Sequence, residues 1–442
     1  LFNYSMVQMA RTNARRLDRP LREEILNIYK PFKWMPCFLH KVLEGSLRRS
    51  RNIPVIIEFE KECYLEGCAQ VDGIMKKHRK NKIKRHFSRI GCCSARVTPN
   101  SLNEILSTCS RVKKVHLNRK VHALLDVAVP SANASNVKRD NQVLTGKGVN
   151  IAILDTGIHP HQDLNGRITG FKDLVKGRTE PYDDNGHGTH CAGDAAGNGS
   201  ASSSRYKGPA PEATLTGVKV LDKRGSGSLD TVIEGVDWCI QYNEENPKNK
   251  IDIISMSLGS SAQPFANEDL DPMVQMVEEA WAAGITVCVA AGNEGPDSGT
   301  ISSPGISDRV ITVGALDDRD TSDTKDDDDV ADFSSRGPTI YGIAKPDILA
   351  PGVNIVSLRS PRSYIDKLQK ANRVGDEYFV MSGTSMATPI CAGVVALMKQ
   401  HNPELQPDDM KDLLLSGADL WEGKDRNIYG AGYINAERSI PQ

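Results

Sequence analysis

The sequence predicts an α/β protein in two parts: a doubly wound parallel sheet with helices on both faces, preceded by a small α+β module. Three observations predict it. From Gly148 onward the runs VNIAILD, TLTGVKVL, IDIISMSLG, ITVCVAAGN and RVITVGAL have the near-continuous apolar character of strands buried on both faces. Helical stretches such as SLDTVIEGVDWCIQYNEEN and PMVQMVEEAWAAG lie between them, and alternating strand and helix is the order of a wound parallel sheet. Before Gly148 the order changes to strand, helix, strand, strand, helix, strand, that of a small α+β module.

In chain order, residues 1–52 read as a basic extension, with helical spacing from Pro20 to Tyr29 and interruptions at Pro31 and Pro36. Residues 53–124 are the module. IPVIIEFE (53–60) is its first strand, a helix follows near Leu65–His78, and a basic run, KKHRKNKIKR, comes next. CCSARV is a strand, Pro99-Asn100-Ser101 introduces a helix through Leu106, and VKKVHL is the last strand; the strand before CCSARV is poorly marked. Residues 125–147 are polar and small and read as a linker, and residues 148–442 form the main domain. In wound parallel sheets, sites form where strands end at their carboxyl edge. Asp155 ends the first apolar run and Asn293 ends another.

Composition places the chain among ordinary globular proteins: of 442 residues, 39% are hydrophobic and 25% charged. The net charge of −1 conceals an asymmetry. Residues 1–124 hold 26 Lys+Arg against 10 Asp+Glu, about +16, which leaves 29 against 46 for residues 125–442, about −17. Segments of opposite sign suggest docking of one on the other. The basic segment also admits nucleic-acid or anionic-surface binding, but its basic run lacks the interleaved aromatics that stack on bases, so no nucleic-acid partner is expected. The ten cysteines have irregular spacing without a Cys-x-x-Cys pair, and six crowd the first 124 residues. That usage suits reducing cytoplasm; the alternative is secretion by a route without a recognisable signal peptide, since LFNYSMVQMARTNARRLDRP contains no continuous apolar core. No apolar run is long enough to span a membrane, and a monomer is expected.

Three blocks carry chemistry: ILDTGIHPHQDL with Asp155, DDNGHGTHCAG with His187, and MSGTSMATP with Ser385. Acyl transfer to a serine needs a base to take the hydroxyl proton and a carboxylate to orient that base. Gly186 and Gly188 permit close backbone approach around His187. Gly383 and Thr384 turn Ser385 onto a helix N-terminus, where its N–H faces a developing oxyanion. Pro389 follows within the first turn or so. Each block alone has a plainer reading, since Asp after a strand is commonly structural and His among glycines also suits a metal; the three in this order are hard to obtain by chance.

These blocks resemble the subtilisin-like serine proteases, or subtilases, over about residues 145–437. DTGI, NGHGTHCAG and GTSMATP carry the resemblance, with VKVL, SMSLG, AAGNEG, FSSRGP and KPDILAPG between them. It implies a subtilisin-like catalytic domain and a serine endopeptidase that works through an acyl-enzyme. Asp155 would orient the imidazole, His187 act as general acid and base, Ser385 attack, and Asn293 donate to the oxyanion. Polypeptide substrates would add as a strand to two edges, Ser255–Gly259 (with Ser255, Ser257, Leu258 and Gly259) and Gly225–Ser228 (with Gly225 and Gly227). Ala290, Ala291 and Gly292 would line a pocket for a large apolar P1 residue, the one whose carbonyl is attacked. The resemblance further implies that residues 53–124 are a ferredoxin-like inhibitory propeptide held in the cleft and self-cleaved near Leu124–Leu125. It also implies a calcium ligand at Asp163, although the loop Gly197–Lys207 departs from the family pattern and offers mainly Asn198.

Two further features have readings of their own. Cys191 lies four residues after His187 and shares its face if the segment is helical; it is either a small buried hydrophobe or a thiol beneath the imidazole. Residues 359–379 form a stretch longer than a compact cleft requires, expected either to shape the primed side or to be a surface excursion. A proteolytically silent binding protein is the competing reading, and the complete set of Asp155, His187, Ser385 and Asn293 argues against it.

Overall fold

The structure, a computed structural model, describes residues 5–28, 37–60, 63–87, 91–117, 125–264, 268, 271–319, 321, 325–421 and 423–442. The chain divides into two compact units, Leu1–Val121 and His122–Gln442.

In the first unit, α1 (Ser5–Thr12), α2 (Arg19–Ile28) and α3 (Cys37–Ser50) precede β1 (Ile53–Phe59), α4 (Tyr64–Lys76), β2 (Lys82–Phe87), β3 (Cys92–Val97), α5 (Pro99–Thr108) and β4 (Val112–Leu117). The strands form one antiparallel sheet in the order β2-β3-β1-β4. Ile53, Val55, Ile57 and Phe59 alternate inward along β1, which gives the sheet its apolar face. The poorly marked strand is β2. It is an edge strand carrying Lys82, Lys84 and Arg85, and charge on an edge discourages pairing with another chain while hiding the apolar period.

Residues 1–52 are not a separate extension. Met6, Val7, Leu17, Leu21 and Ile25 share one buried cluster with Ile53, Val71 and Leu102. The main chain meets β4, where the Val115 N–H donates to the Arg16 carbonyl at 2.7 Å and the Asp18 N–H to the Val115 carbonyl at 3.1 Å. The Arg16 guanidinium donates to the carbonyls of Leu106, Cys109 and Val112. Charge along this stretch conceals a narrow apolar face.

The presumed linker is likewise part of the second unit. α6 (Leu125–Ser131) and a hairpin of β5 (Lys138–Arg139) and β6 (Gln142–Val143) occupy it. Ala128, Ala132 and Val137 are fully buried, because small side chains allow the backbone to approach the core closely. Arg139 donates to the carbonyls of Glu437, Ile440 and Pro441, which ties the segment to the end of the chain.

The main sheet contains β7 (Asn150–Asp155), β8 (Ile168–Asp173), β9 (Thr214–Lys219), β10 (Ile253–Met256), β11 (Thr286–Ala290), β12 (Ile311–Asp317), β13 (Asp329–Val330) and β14 (Ile348–Pro351). Their order is β13-β12-β11-β10-β7-β9-β8, with β14 beside β12. The expected parallel sheet is mixed, because β13 runs antiparallel to β12 while the other pairs are parallel. β7 lies between β9 and β10, so the winding reverses beside it and a crevice opens at its carboxyl end. α7 (His187–Ala196) packs on α11 (Thr384–His401), and α8 (Leu229–Glu245) on α9 (Pro272–Ala282). Residues 384–398 of α11 are buried almost all round, as its apolar sequence requires. In the chain between β14 and α11, β15 (Ile355–Leu358), β16 (Arg373–Val374) and β17 (Tyr378–Met381) form a three-stranded sheet, with α10 (Tyr364–Leu368) in the connection.

Candidate active site

Asp155 ends β7 and is fully buried. His187 opens α7, and both carboxylate oxygens of Asp155 lie 2.9 Å from its Nδ1. A carboxylate accepts, so Nδ1 carries the proton and Nε2 is left as the basic nitrogen. This approach depends on two glycines. Gly186 has φ +110°, and a Cβ on Gly188 would stand 2.3 Å from the Gly157 carbonyl and 3.1 Å from the Asp155 Cβ. Asp183, which the sequence reading passed over, organises the turn. Its carboxylate accepts from Thr156 Oγ1, from the N–H groups of Asn185, Gly186 and Thr189, and from Thr189 Oγ1. It thereby links the residue after Asp155 to those flanking His187; an Asp two to six residues before backbone donors in a Gly-rich turn was the available signal. Buried Lys219 donates to the Thr156 carbonyl at 2.6 Å and to Asp184 at 2.9 Å, bracing the same strand end.

Ser385 is the second residue of α11. Pro389 lies deeper in the helix than expected and has no N–H for the Ser385 carbonyl four residues before it. That carbonyl accepts instead from Ser257 Oγ at 2.8 Å and from the Cys191 thiol at 3.4 Å. The Ser385 hydroxyl donates to the Ser257 carbonyl at 3.2 Å. Asn293 Oδ1 accepts from the Thr384 N–H at 2.9 Å, which fixes the amide orientation and leaves its NH₂ beside the turn that carries Ser385.

Cys191 Sγ is 3.8 Å from His187 Nδ1, so the thiol does lie against the imidazole. Burial pushes this thiol up to about 11 against the pull of His187, and a protonated thiol is what donates to Ser385. Asp155, His187 and Cys191 have ligand atoms within 4.8 Å of one another, but hydrogens on Nδ1 and Sγ point where an ion would need lone pairs. Burial disfavours the imidazolium, but the Asp155 carboxylate and the neighbouring sulfur outweigh it and hold His187 well above the ordinary histidine range.

A cleft of about 570 Å³ adjoins His187, lined by Gly225, Gly227, Ser257, Leu258 and Gly259 from the two expected edges. Among the described residues no main-chain partner meets Gly227 or Gly259. Ser255 does not belong to this edge. It sits inside β10, paired with Ile153 on one side and Cys288 on the other. The 570 Å³ cleft does not extend to Ala290, Ala291 and Gly292; Ala291 is fully buried, and the carbonyls of Ala291 and Gly292 accept from the Ser302 and Ser335 N–H groups. Tyr364 and Ile365 do line the cleft, together with residues of both edges, so the stretch 359–379 is not merely a surface excursion. Leu124 lies outside the described residues, and Leu125 begins α6.

Asp163 and Asn198 do not fit a calcium ion. Asp163 Oδ1 accepts from Ser200 Oγ at 3.1 Å and the Ala201 N–H at 2.7 Å, and Oδ2 from the Tyr378 hydroxyl at 2.7 Å. Asn198 Oδ1 accepts from the Ser200 N–H at 2.9 Å. An ion there would compete with these hydrogen bonds for the oxygens it needs.

The sequence model of the Subtilase family matches residues 146–432. The chain is 62% identical over 441 residues to the serine protease AprX of Bacillus subtilis (strain 168), covering 100% of each. It is 37% identical over 298 residues to Subtilisin Savinase of Lederbergia lenta, covering 67% of this chain and 92% of that protein. Among solved structures, Sphericase is similar with a TM-score of 0.55 and 31% identity, over 69% of this chain and 97% of that one.

Two predictions follow from the geometry. A raised folded-state value means that His187 contributes stability below its unfolded value of about 6.5 and loses it as pH climbs through the folded value. Activity runs the other way, because only neutral imidazole accepts a proton. The acid limb of kcat/KM is therefore expected above the ordinary histidine range, and Asp155→Asn should lower both the limb and, by roughly 10⁴-fold, kcat; pH–rate profiles check this. At the other site, calcium or chelator should shift the thermal midpoint equally in the parent and in Asp163→Asn. Tyr378→Phe should cost about 1–3 kcal/mol by denaturant titration, since it strips a buried carboxylate of a donor.

Proposed function

The chain belongs to the subtilase family and is a subtilisin-type serine endopeptidase, and from that premise we propose that it is made as a zymogen whose first unit is a self-cleaved inhibitory propeptide. The observation that carries the proposal is the division of the chain after Val121, three residues before the expected scissile bond at Leu124–Leu125. The first unit's β-α-β-β-α-β order and strand order β2-β3-β1-β4 match a ferredoxin-like module, which supports the reading. Its charge of about +16 against about −17 for the remainder favours association of the two. On this reading Val121, His122, Ala123 and Leu124, which lie outside the described residues, would be the non-primed residues held as product.

Catalysis then proceeds from the residues described. Substrate that engages the Ser257 carbonyl competes for the acceptor now used by the Ser385 hydroxyl, releasing it to His187. Neutral Nε2 takes the proton as Oγ attacks, and Asp155 stabilises the imidazolium that forms. The Asn293 NH₂ and the Ser385 N–H receive the oxyanion; the side-chain donor is worth roughly 10²–10³-fold in kcat, the magnitude established for subtilisin itself. His187 returns the proton to the leaving amine, and water repeats the sequence on the acyl-enzyme. Small residues at Ala290, Ala291 and Gly292 support a P1 pocket for large apolar side chains. Cys63, Cys68, Cys92, Cys93, Cys109, Cys191, Cys239, Cys288 and Cys391 are free thiols, which favours a cytoplasmic setting. No described helix is long and apolar enough to cross a membrane. Polypeptides and the enzyme's own propeptide are the proposed partners, and the working form is a monomer.

The test is processing. The purified active protein should begin near Leu125, and Ser385→Ala should remain full length. A Ser385→Ala chain cut at the same bond in purified form would show that the cleavage is not autocatalytic.

A further inference from the structure

Residues 359–379, which catalysis leaves unexplained, fold around one buried carboxylate. Asp366 is only 2% exposed and sits between two guanidiniums. The Nε atoms of Arg359 and Arg373 both lie 2.6 Å from its Oδ1, and their second nitrogens lie 3.2 and 2.9 Å from its Oδ2. The Arg362 N–H adds a bond at 2.9 Å. Burial alone would raise this carboxyl; the arginines outweigh it and hold it below the usual carboxylate range. The lobe is attached to the segment immediately before His187. The N–H groups of Tyr364 and Ile365 donate to the carbonyls of Asp184 and Asn185 at 2.9 and 3.0 Å, and Ser360 Oγ to the Asp183 carbonyl at 2.7 Å. Tyr364 and Ile365 are thereby set on the cleft wall with Asn185, His187 and Leu221.

We propose that Tyr364 and Ile365 form the subsite for the P2 residue, the one preceding P1, and that this subsite selects a large apolar side chain. The proposal rests on the endopeptidase reading and concerns its specificity. Asn185, on the same wall, already uses its amide within the protein: Nδ2 donates to the Lys223 carbonyl at 3.1 Å, and Oδ1 accepts from the His187 N–H at 3.1 Å. A neutral polar P2 side chain set against Asn185 would lose water without gaining a partner from that amide. An apolar one would cover Tyr364 and Leu229, which are 38% and 47% exposed and belong to the few large apolar side chains so open to solvent among the described residues. The arginine clamp makes the wall preorganised, so little ordering is needed on binding.

Peptide anilides sharing Phe at P1 and carrying Ala, Leu, Phe or Asp at P2 test this, with active sites counted by fluorophosphonate labelling. The parent should favour Leu and Phe over Ala and Asp by roughly 10-fold or more in kcat/KM. Tyr364→Ala should lose most of that preference, its kcat/KM for the P2-Leu and P2-Phe substrates falling to within a few-fold of that for P2-Ala, and Tyr364→Phe should keep the preference, since the ring forms the wall. A flat P2 profile in the parent, or a Tyr364→Ala profile identical to the parent's, would overturn the proposal. Failure of the parent to take the label would instead strike down the endopeptidase reading, and the subsite with it.

Discussion

The contact between buried Asp155 and the ring of His187 is the constraint on which the rest depends. A carboxylate at the end of a central parallel strand has lost its water and keeps its charge only if donors meet it. Here the Thr156 N–H and the His187 Nδ1–H do so. Bringing a helix start to that strand end needs the glycine at 188, the left-handed turn at Gly186, and the Asp183 carboxylate that gathers donors from both sides. The strand order supplies the crevice, since winding reverses beside β7. Tautomer, basicity and location of the imidazole all follow from one buried pair.

A second constraint comes from a missing donor. Pro389 leaves the Ser385 carbonyl without its helical partner, and Ser257 and Cys191 meet it from two other elements. The nucleophile is therefore tied to one substrate edge and to the helix that carries His187. Cys191 belongs to this arrangement as a protonated donor, which reconciles its burial with its position against the ring.

The parts legible in the sequence were those in which local pattern and tertiary role agree. β7, β10 and β11 are buried on both faces and read as apolar runs, and Asp155, His187, Asn293 and Ser385 sit at their ends or at helix starts, where backbone geometry restricts the neighbours to glycine, threonine and serine. Other parts were hidden by competing demands. β2 carries charge because it is an edge; residues 1–52 and 125–147 bury small or sparse apolar groups beneath a polar composition. Ser255 looked like an edge because motif continuity does not reveal where a strand leaves its sheet. Asp163 looked like a metal ligand because its competing donor, Tyr378, is 215 residues away in sequence, beyond the reach of any local pattern. The lobe around Asp366 depends on two arginines converging from either side, which spacing alone does not disclose.

The central claim, that Asp155 holds the His187 Nδ1 proton and raises the basicity of the ring, is tested most directly by proton NMR of that ring hydrogen as a function of pH, in the enzyme and in Asp155→Asn. The account predicts a strongly deshielded signal that titrates above the ordinary histidine range of about 6.5 and disappears in Asp155→Asn. A ring that titrates at or below that range, or a signal untouched by the substitution, would contradict it.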